Sequence, residues 1–265
     1  MRQILLAVSV VLLNMAVFAQ SSSPEGLYER AMDQISGAGP SRNDLQAIDT
    51  FRRSAELGYG PAQVALGYFY EMGQLTAGSQ SQAVEWYRKA ANQGDVLAQY
   101  LLGRSYFLGG GIQQDVIAAQ KWLKASADQG NPFATYYLGR IMADRDYPKA
   151  PALYKAAADQ GIAPAQYYYA KALKDGRGVE MDRFNAYVWF VIALDAGQSR
   201  AAADLSELDG GGFLTQTQIS DAKGKARELE QTVIRVVNAR GCTGWDGESN
   251  DFPTPPPPKL QRFCR

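Results

Sequence analysis

Histidine is absent from this 265-residue chain. That excludes a Ser-His-Asp or Cys-His site, because both use imidazole to carry the proton. It also removes the commonest metal ligand, and two cysteines alone do not complete a structural zinc site. No metal and no cofactor are therefore expected. Net charge is missing as well: 27 basic residues balance 27 acidic ones. A general nucleic-acid binder carries a strong basic excess, so nucleic acid is not an expected partner. Long apolar runs are confined to the amino terminus, so no stable membrane anchor is expected in a mature chain.

That one apolar run lies in MRQILLAVSVVLLNMAVFA, with Arg2 before it and Val17-Phe18-Ala19 as a small-x-small cleavage site. Residues 1–19 read as a secretory signal cut before Gln20. A retained anchor is the alternative, but Ile4 to Leu13 is shorter than the ~20 residues a spanning helix needs. No cysteine near the junction offers a lipid attachment point. The expectation is an exported protein, periplasmic in a Gram-negative bacterium. Cys242 and Cys264 both fall in the last 24 residues. In an oxidising compartment they read as one disulfide, worth ~3 kcal/mol to the tail in chain-entropy terms. Residues 241–265, rich in Gly and Pro with polyproline at Pro255 to Pro258, then form a pinned flap rather than a ligand for another domain.

Between these ends the chain repeats itself. Gly58, Gly94, Gly130, Gly161 and Gly197 are spaced 36, 36, 31 and 36 residues apart. Alanine stands four after each (Ala62, Ala98, Ala134, Ala165, Ala201) and eleven before each (Ala47, Ala83, Ala119, Ala150, Ala186). Leu66-Gly67, Leu102-Gly103 and Leu138-Gly139 recur at eight and nine after, replaced later by Tyr169-Ala170 and Leu205-Ser206. Within each unit the apolar positions fall three and four apart, the helical period, and a glycine stops each helix. Each unit is therefore an αα-hairpin, and five in series stack into a solenoid.

The pattern A-x-x-W-Y-x-x-A-A-x-x-G-x-x-x-A-Q-x-x-L-G-x-x-Y-x-x-G resembles the Sel-one-like repeat (SLR) family, a relative of the tetratricopeptide repeat. The resemblance covers roughly residues 41 to 230 and implies an all-α, right-handed αα-hairpin superhelix with capping helices at both ends. The layout expected is an amino-terminal capping segment at 20–40, five repeats over 41–212, a closing helix at 213–240 and the tail. Two departures stand out. The third unit lacks its Gly-x-Gly loop between Asp144 and Tyr147, and the first has "GQLTAGSQSQ" in place of Gly-x-Gly-Val-x-x-Asp.

Candidate chemistry is sparse. Gly176-Arg177-Gly178 follows a helix and precedes no Gly-Lys-Ser/Thr, so it is an inter-repeat turn rather than a phosphate loop. Asp182, like Asp115 in the second unit, is placed to cap the next helix. Ser220 and Lys223 match S-x-x-K without the S-D-N or K-T-G that accompany it in penicillin-recognising enzymes. Some cysteine-rich SLR proteins are linked to β-lactamase activity, but their paired cysteines are missing here. Arg52, Arg88, Lys124 and Lys155 each stand four before Glu56, Asn92, Asp128 and Asp159, which describes a self-neutralised outer face.

Binding is the better expectation. By resemblance to tetratricopeptide arrays, positions three, six, ten and thirteen after each anchor face a concave groove. That stripe carries Leu97, Tyr100, Arg104 and Phe107, then Phe133, Tyr136 and Arg140, then Pro164, Tyr167, Lys171 and Lys174, with Tyr137 and Tyr168 at its margin. Aromatic and basic residues alternate along it, and Tyr and Arg dominate binding hot spots. Position six is often aromatic in the family, so packing competes with this view. Tyr169, at the leucine position, is expected in the core. Val188, Val191 and Ile192 are either covered by the closing helix or form an apolar docking patch. The function expected is a non-enzymatic protein-interaction scaffold with a protein or peptide partner. The resemblance extends to immunity proteins that neutralise a toxic effector. A glycan-binding module is the alternative, and a cell-wall or β-lactam hydrolase a more distant one.

Overall fold

The computed structural model describes residues 23–36, 44–73, 78–145 and 147–239. The leader, the tail with both cysteines and the middle of "GQLTAGSQSQ" lie outside the described residues. Twelve α-helices and no strand are found among those described. They are α1 Pro24–Ser36, α2 Asp44–Glu56, α3 Gly60–Met72, α4 Gln80–Asn92, α5 Val96–Leu108 and α6 Val116–Ala127. Then come α7 Pro132–Arg145, α8 Ala150–Ala158, α9 Ala163–Asp175, α10 Arg183–Asp195, α11 Ala201–Gly210 and α12 Gln216–Ala239. Each helix from α1 to α11 packs on the next along the chain and α12 packs back on α10, so the described residues form an all-α solenoid with one continuous apolar core.

Local chemistry sets the boundaries. The five anchor glycines all adopt φ between 85° and 91°, a left-handed conformation costly for other residues. Asp95, Asp115 and Asp182 cap α5, α6 and α10, accepting from Ala98 N at 2.7 Å, Ile117 N at 2.9 Å and Asn185 N at 2.9 Å. Gly176 ends α9 at φ 66°, and Arg177 N continues to Ala172 O at 3.1 Å. The Gly-Arg-Gly is thus a helix stop. The shortened third unit replaces its loop by a 3₁₀ turn over Tyr147–Lys149 leading straight into α8.

Close approach of helices is fixed by the glycines at nine after the anchor. A Cβ on Gly67 would lie 2.5 Å from the Tyr87 ring, one on Gly103 2.7 Å from Leu123 Cγ, and one on Gly139 2.7 Å from the Tyr154 ring. The tightest pairs are therefore α3 with α4, α5 with α6, and α7 with α8. A second helix embraces the first helix of the following unit more closely than its own partner.

The ends are closed in kind. Tyr28 of α1 packs against Phe51 of α2 with ring centroids 5.6 Å apart. At the other end α12 lies on α10 through Ile219, Ala222, Ala226 and Leu229. Lys225 Nζ of α12 donates to Asn185 Oδ1 at 2.8 Å. Val188 and Ile192 are nearly sealed, at 1% and 2% exposed, and Val191 is half-buried. The closing helix leaves no apolar docking patch at Val188 and Ile192.

Candidate interaction face

The second helices α3, α5, α7 and α9 stand side by side, and α11 ends the row. Ring contacts join them: Tyr100 of α5 to Phe133 and Tyr137 of α7 at 5.7 and 5.9 Å, and Tyr136 of α7 to Tyr168 of α9 at 6.2 Å. This seam is where the stripe read from the sequence lands, and it splits the stripe in two.

Tyr100, Tyr136 and Tyr137 are fully buried, and Arg104 is only 4% exposed. They do not offer contact area to a partner, which corrects the expectation for these four. The reason is geometric: positions six and seven after the anchor point into the junction between neighbouring second helices, and aromatic rings fill it. Tyr136 also meets Tyr154 of α8 at 6.3 Å. Burial and Arg104 together set the Tyr100 hydroxyl at about 12, burial being the larger influence. Burial likewise moves Tyr137 upward, and its hydroxyl finds no hydrogen-bond partner.

Phe107, Phe133, Arg140, Tyr167, Tyr168 and Lys171 remain half-exposed, whereas the Lys174 side chain is only 10% exposed. Tyr169 is half-exposed too, rather than in the core, with its ring edge against Trp189 at 5.7 Å. Leu138, at the equivalent position, is likewise only partly buried, whereas Leu66 and Leu102 are sealed.

Arg104, Lys171 and Lys174 are neutralised by acids of neighbouring second helices, about one repeat away. Arg104 pairs with Glu71 of α3, which also accepts from Tyr87 OH at 2.7 Å. Burial opposes the charge on Arg104, but the tyrosines and Glu71 around it raise its pKa. Lys174 Nζ meets Asp204 Oδ1 at 2.6 Å and Glu207 Oε2 at 2.7 Å, and Lys171 reaches Asp204 at 3.5 Å. For Lys174, burial lowers the pKa and the two carboxylates more than offset it. Arg140 differs: its Nη1 donates to Tyr136 OH at 3.0 Å, and its Cζ lies 5.1 Å from the Tyr168 ring centre.

A second feature escaped the sequence reading. Gln93 Nε2 donates to Gln63 Oε1 at 2.8 Å, and Gln129 Nε2 to Gln99 Oε1 at 2.8 Å. The signal was present, as glutamine recurs at five after one anchor and one before the next. On the outer face, Lys124–Asp128 and Lys155–Asp159 pair at 2.8 and 2.7 Å, whereas Arg52 and Arg88 turn back to Asp49 and Glu85.

Ser220 and Lys223 lie exposed on α12, and Lys223 Nζ sits 5.9 Å from the Tyr187 ring centre. No group of three or more metal-ligating side chains is found among the described residues. No helix among the described residues is long and apolar enough to cross a membrane.

The comparisons agree with this architecture. The Sel1 repeat profile matches residues 24–59, 60–95, 96–131, 134–162 and 163–198. Each matched segment joins a second helix to the first helix that follows it, the pairing that Gly67, Gly103 and Gly139 close. In that phase α1 and α2 make the first unit. No curated protein matches. Among solved structures, the protective antigen c5321 of uropathogenic Escherichia coli, which displays an SLR fold, is 28% identical with a TM-score of 0.69. The match covers 89% of this chain and 53% of that one, so this chain spans about half its length. A Sel1 repeat protein from Oxalobacter formigenes is 25% identical with a TM-score of 0.65, over 78% of this chain and 88% of that one. Proteins built from this repeat are protein-interaction scaffolds. With five matched repeats covering more than half of its residues, the chain belongs to the Sel1 repeat family.

Proposed function

We propose that this protein is an exported scaffold that captures a partner protein along its row of second helices, in the concave groove of the solenoid. The observation that supports it is the half-exposed remainder of the stripe, with Phe107, Phe133, Tyr167, Tyr168 and Arg140 on three adjacent helices. Large rigid side chains held from below by buried rings lose little freedom when a partner settles on them. Their mixed apolar and polar character matches the composition of interface centres. The immunity form of this reading, with a toxic effector as occupant, follows from family resemblance alone. The interaction reading leaves Ser220 and Lys223 without a catalytic role, in keeping with a scaffold.

Because Tyr136 is interior, its replacement would test folding rather than binding. The informative variant is Phe133→Ser with Tyr167→Ala. Protein recovered from intact cells should bring down a partner with the wild-type chain and not with the variant, at equal helical circular dichroism. Equal recovery by both chains would sink the proposal. Export is tested separately: the mature protein should begin at Gln20 when its mass is measured. A glycan array in which the variant loses a specific sugar would favour the glycan-binding reading.

A further inference from the structure

We infer that the segment captured by this face carries an internal Asp or Glu, whose carboxylate docks on Arg140 while apolar neighbours settle against Phe107 and Tyr168. This rests on the interaction reading above and specifies the chemistry of the occupant.

Two equivalent positions carry the argument. Arg104 and Arg140 each stand ten residues after an anchor glycine, at Gly94 and Gly130. Arg104 finds its counter-charge 33 residues earlier, at Glu71. The residue at that same offset before Arg140 is Phe107, whose ring centre lies 5.9 Å from Arg140 Cζ. A phenyl ring thus occupies the place of the acid. The next bases along the row, Lys171 and Lys174, draw their counter-charges from α11. Among the described side chains no carboxylate is found paired with Arg140, whose hydrogen bond goes to the Tyr136 hydroxyl; the acid nearest to it in the sequence is Asp144, four residues on.

The setting favours such a ligand. A guanidinium has five N–H donors, and the Tyr136 hydroxyl takes one of them. Tyr168, Phe107 and Tyr136 surround the group with ring centres 5.1, 5.9 and 6.0 Å from Cζ. Rings on these sides exclude water, which strengthens an ion pair over one on open surface. The planar fork accepts a carboxylate through two parallel hydrogen bonds. Arg140 is half-exposed and so reachable, unlike Arg104. Apolar surface lies on both sides of it, toward α5 through Phe107 and toward α9 through Tyr168. A terminal carboxylate would use one side only, whereas an acidic residue inside a linear segment uses both.

The test is a displayed library of random linear peptides selected on the full chain. Enrichment of Asp or Glu between apolar residues is expected, and changing that acid to its amide should weaken binding roughly tenfold or more. Arg140→Gln should do the same. Phe107→Glu should rebuild the Arg104–Glu71 arrangement around Arg140, abolishing capture while retaining wild-type helical content and a cooperative melt. Enrichment without an acid, acid confined to the peptide carboxy terminus, no enriched peptide, or unchanged binding by both variants would overturn the inference. Peptides that still depend on Phe133 and Tyr167 in any of those cases leave the interaction reading standing. Peptides indifferent to those residues overturn it too.

Discussion

Gln166 is a hydrogen-bond acceptor waiting for a partner that its two counterparts possess. Gln63 and Gln99 each receive an amide N–H from a glutamine 30 residues later. The corresponding residue for Gln166 is Ala196, and Gln166 Oε1 is buried and unpaired. Its other end is already set as in Gln63: Gln166 Nε2 reaches Ala158 O at 3.4 Å, as Gln63 Nε2 reaches Ala55 O at 3.0 Å. The backbone is ready as well. Ala196 has φ −84° and ψ 14°, against −85° and 0° at Gln93. Ala196→Gln should therefore supply the missing rung. A net hydrogen bond is worth ~1 kcal/mol, more when it relieves a buried unsatisfied group. Ordering a glutamine side chain costs up to ~1.5 kcal/mol when fully fixed, and only its tip need be held here. The balance is a gain of about 0.5–1.5 kcal/mol, or a melting temperature higher by roughly 1–5 °C for a protein of this size. Thermal melts by circular dichroism would compare wild type, Ala196→Gln and Ala196→Met, the last giving similar bulk without a donor. The gain should vanish in a Gln166→Ala background. A Gln variant melting no higher than the Met variant would refute the reasoning.

Gly103→Ala should destabilise the chain by about 1–3 kcal/mol, because the new methyl would lie 2.7 Å from Leu123 Cγ and 3.0 Å from Leu123 N; urea denaturation reads the loss. Glu71→Ala strands the buried Arg104 and should cost about 3–5 kcal/mol, part of which Arg104→Leu recovers in the double variant, measured by the same denaturation. Tyr28, Tyr100, Tyr167 and Tyr187 all have hydroxyls raised from 10.0 to about 12, burial being the leading cause. Their folded-state pKa values exceed the unfolded value, so this stability is whole below about pH 10 and disappears as pH rises toward about 12. Urea midpoints followed from neutral to alkaline pH should fall across that window, and a flat profile would contradict the assignment.

Much of the fold was legible because its signals are local. The anchor glycines, the capping aspartates and the three-and-four spacing each act within one helix or turn, so a linear sequence displays them whole. The interaction face was legible only in outline. A helical wheel groups Tyr100, Arg104 and Phe107 on one side of α5, but not what covers that side. Phe133 and Tyr137 seal Tyr100 from the next second helix, and Glu71 neutralises Arg104 from the previous one. These partners lie about one repeat away, at offsets that appear only when the repeats are laid side by side.

The sequence by itself determined the all-α repeat and where each hairpin turns, since left-handed glycines and helix caps are properties of neighbouring residues. Tertiary structure alone decided which aromatics became mortar between helices and which stayed at the surface. It also decided that Arg104 would be spent on an internal pair while Arg140 would face Phe107 instead of an acid. Burial and charge balance depend on what lies across the seam, and that is fixed only when the repeats stack.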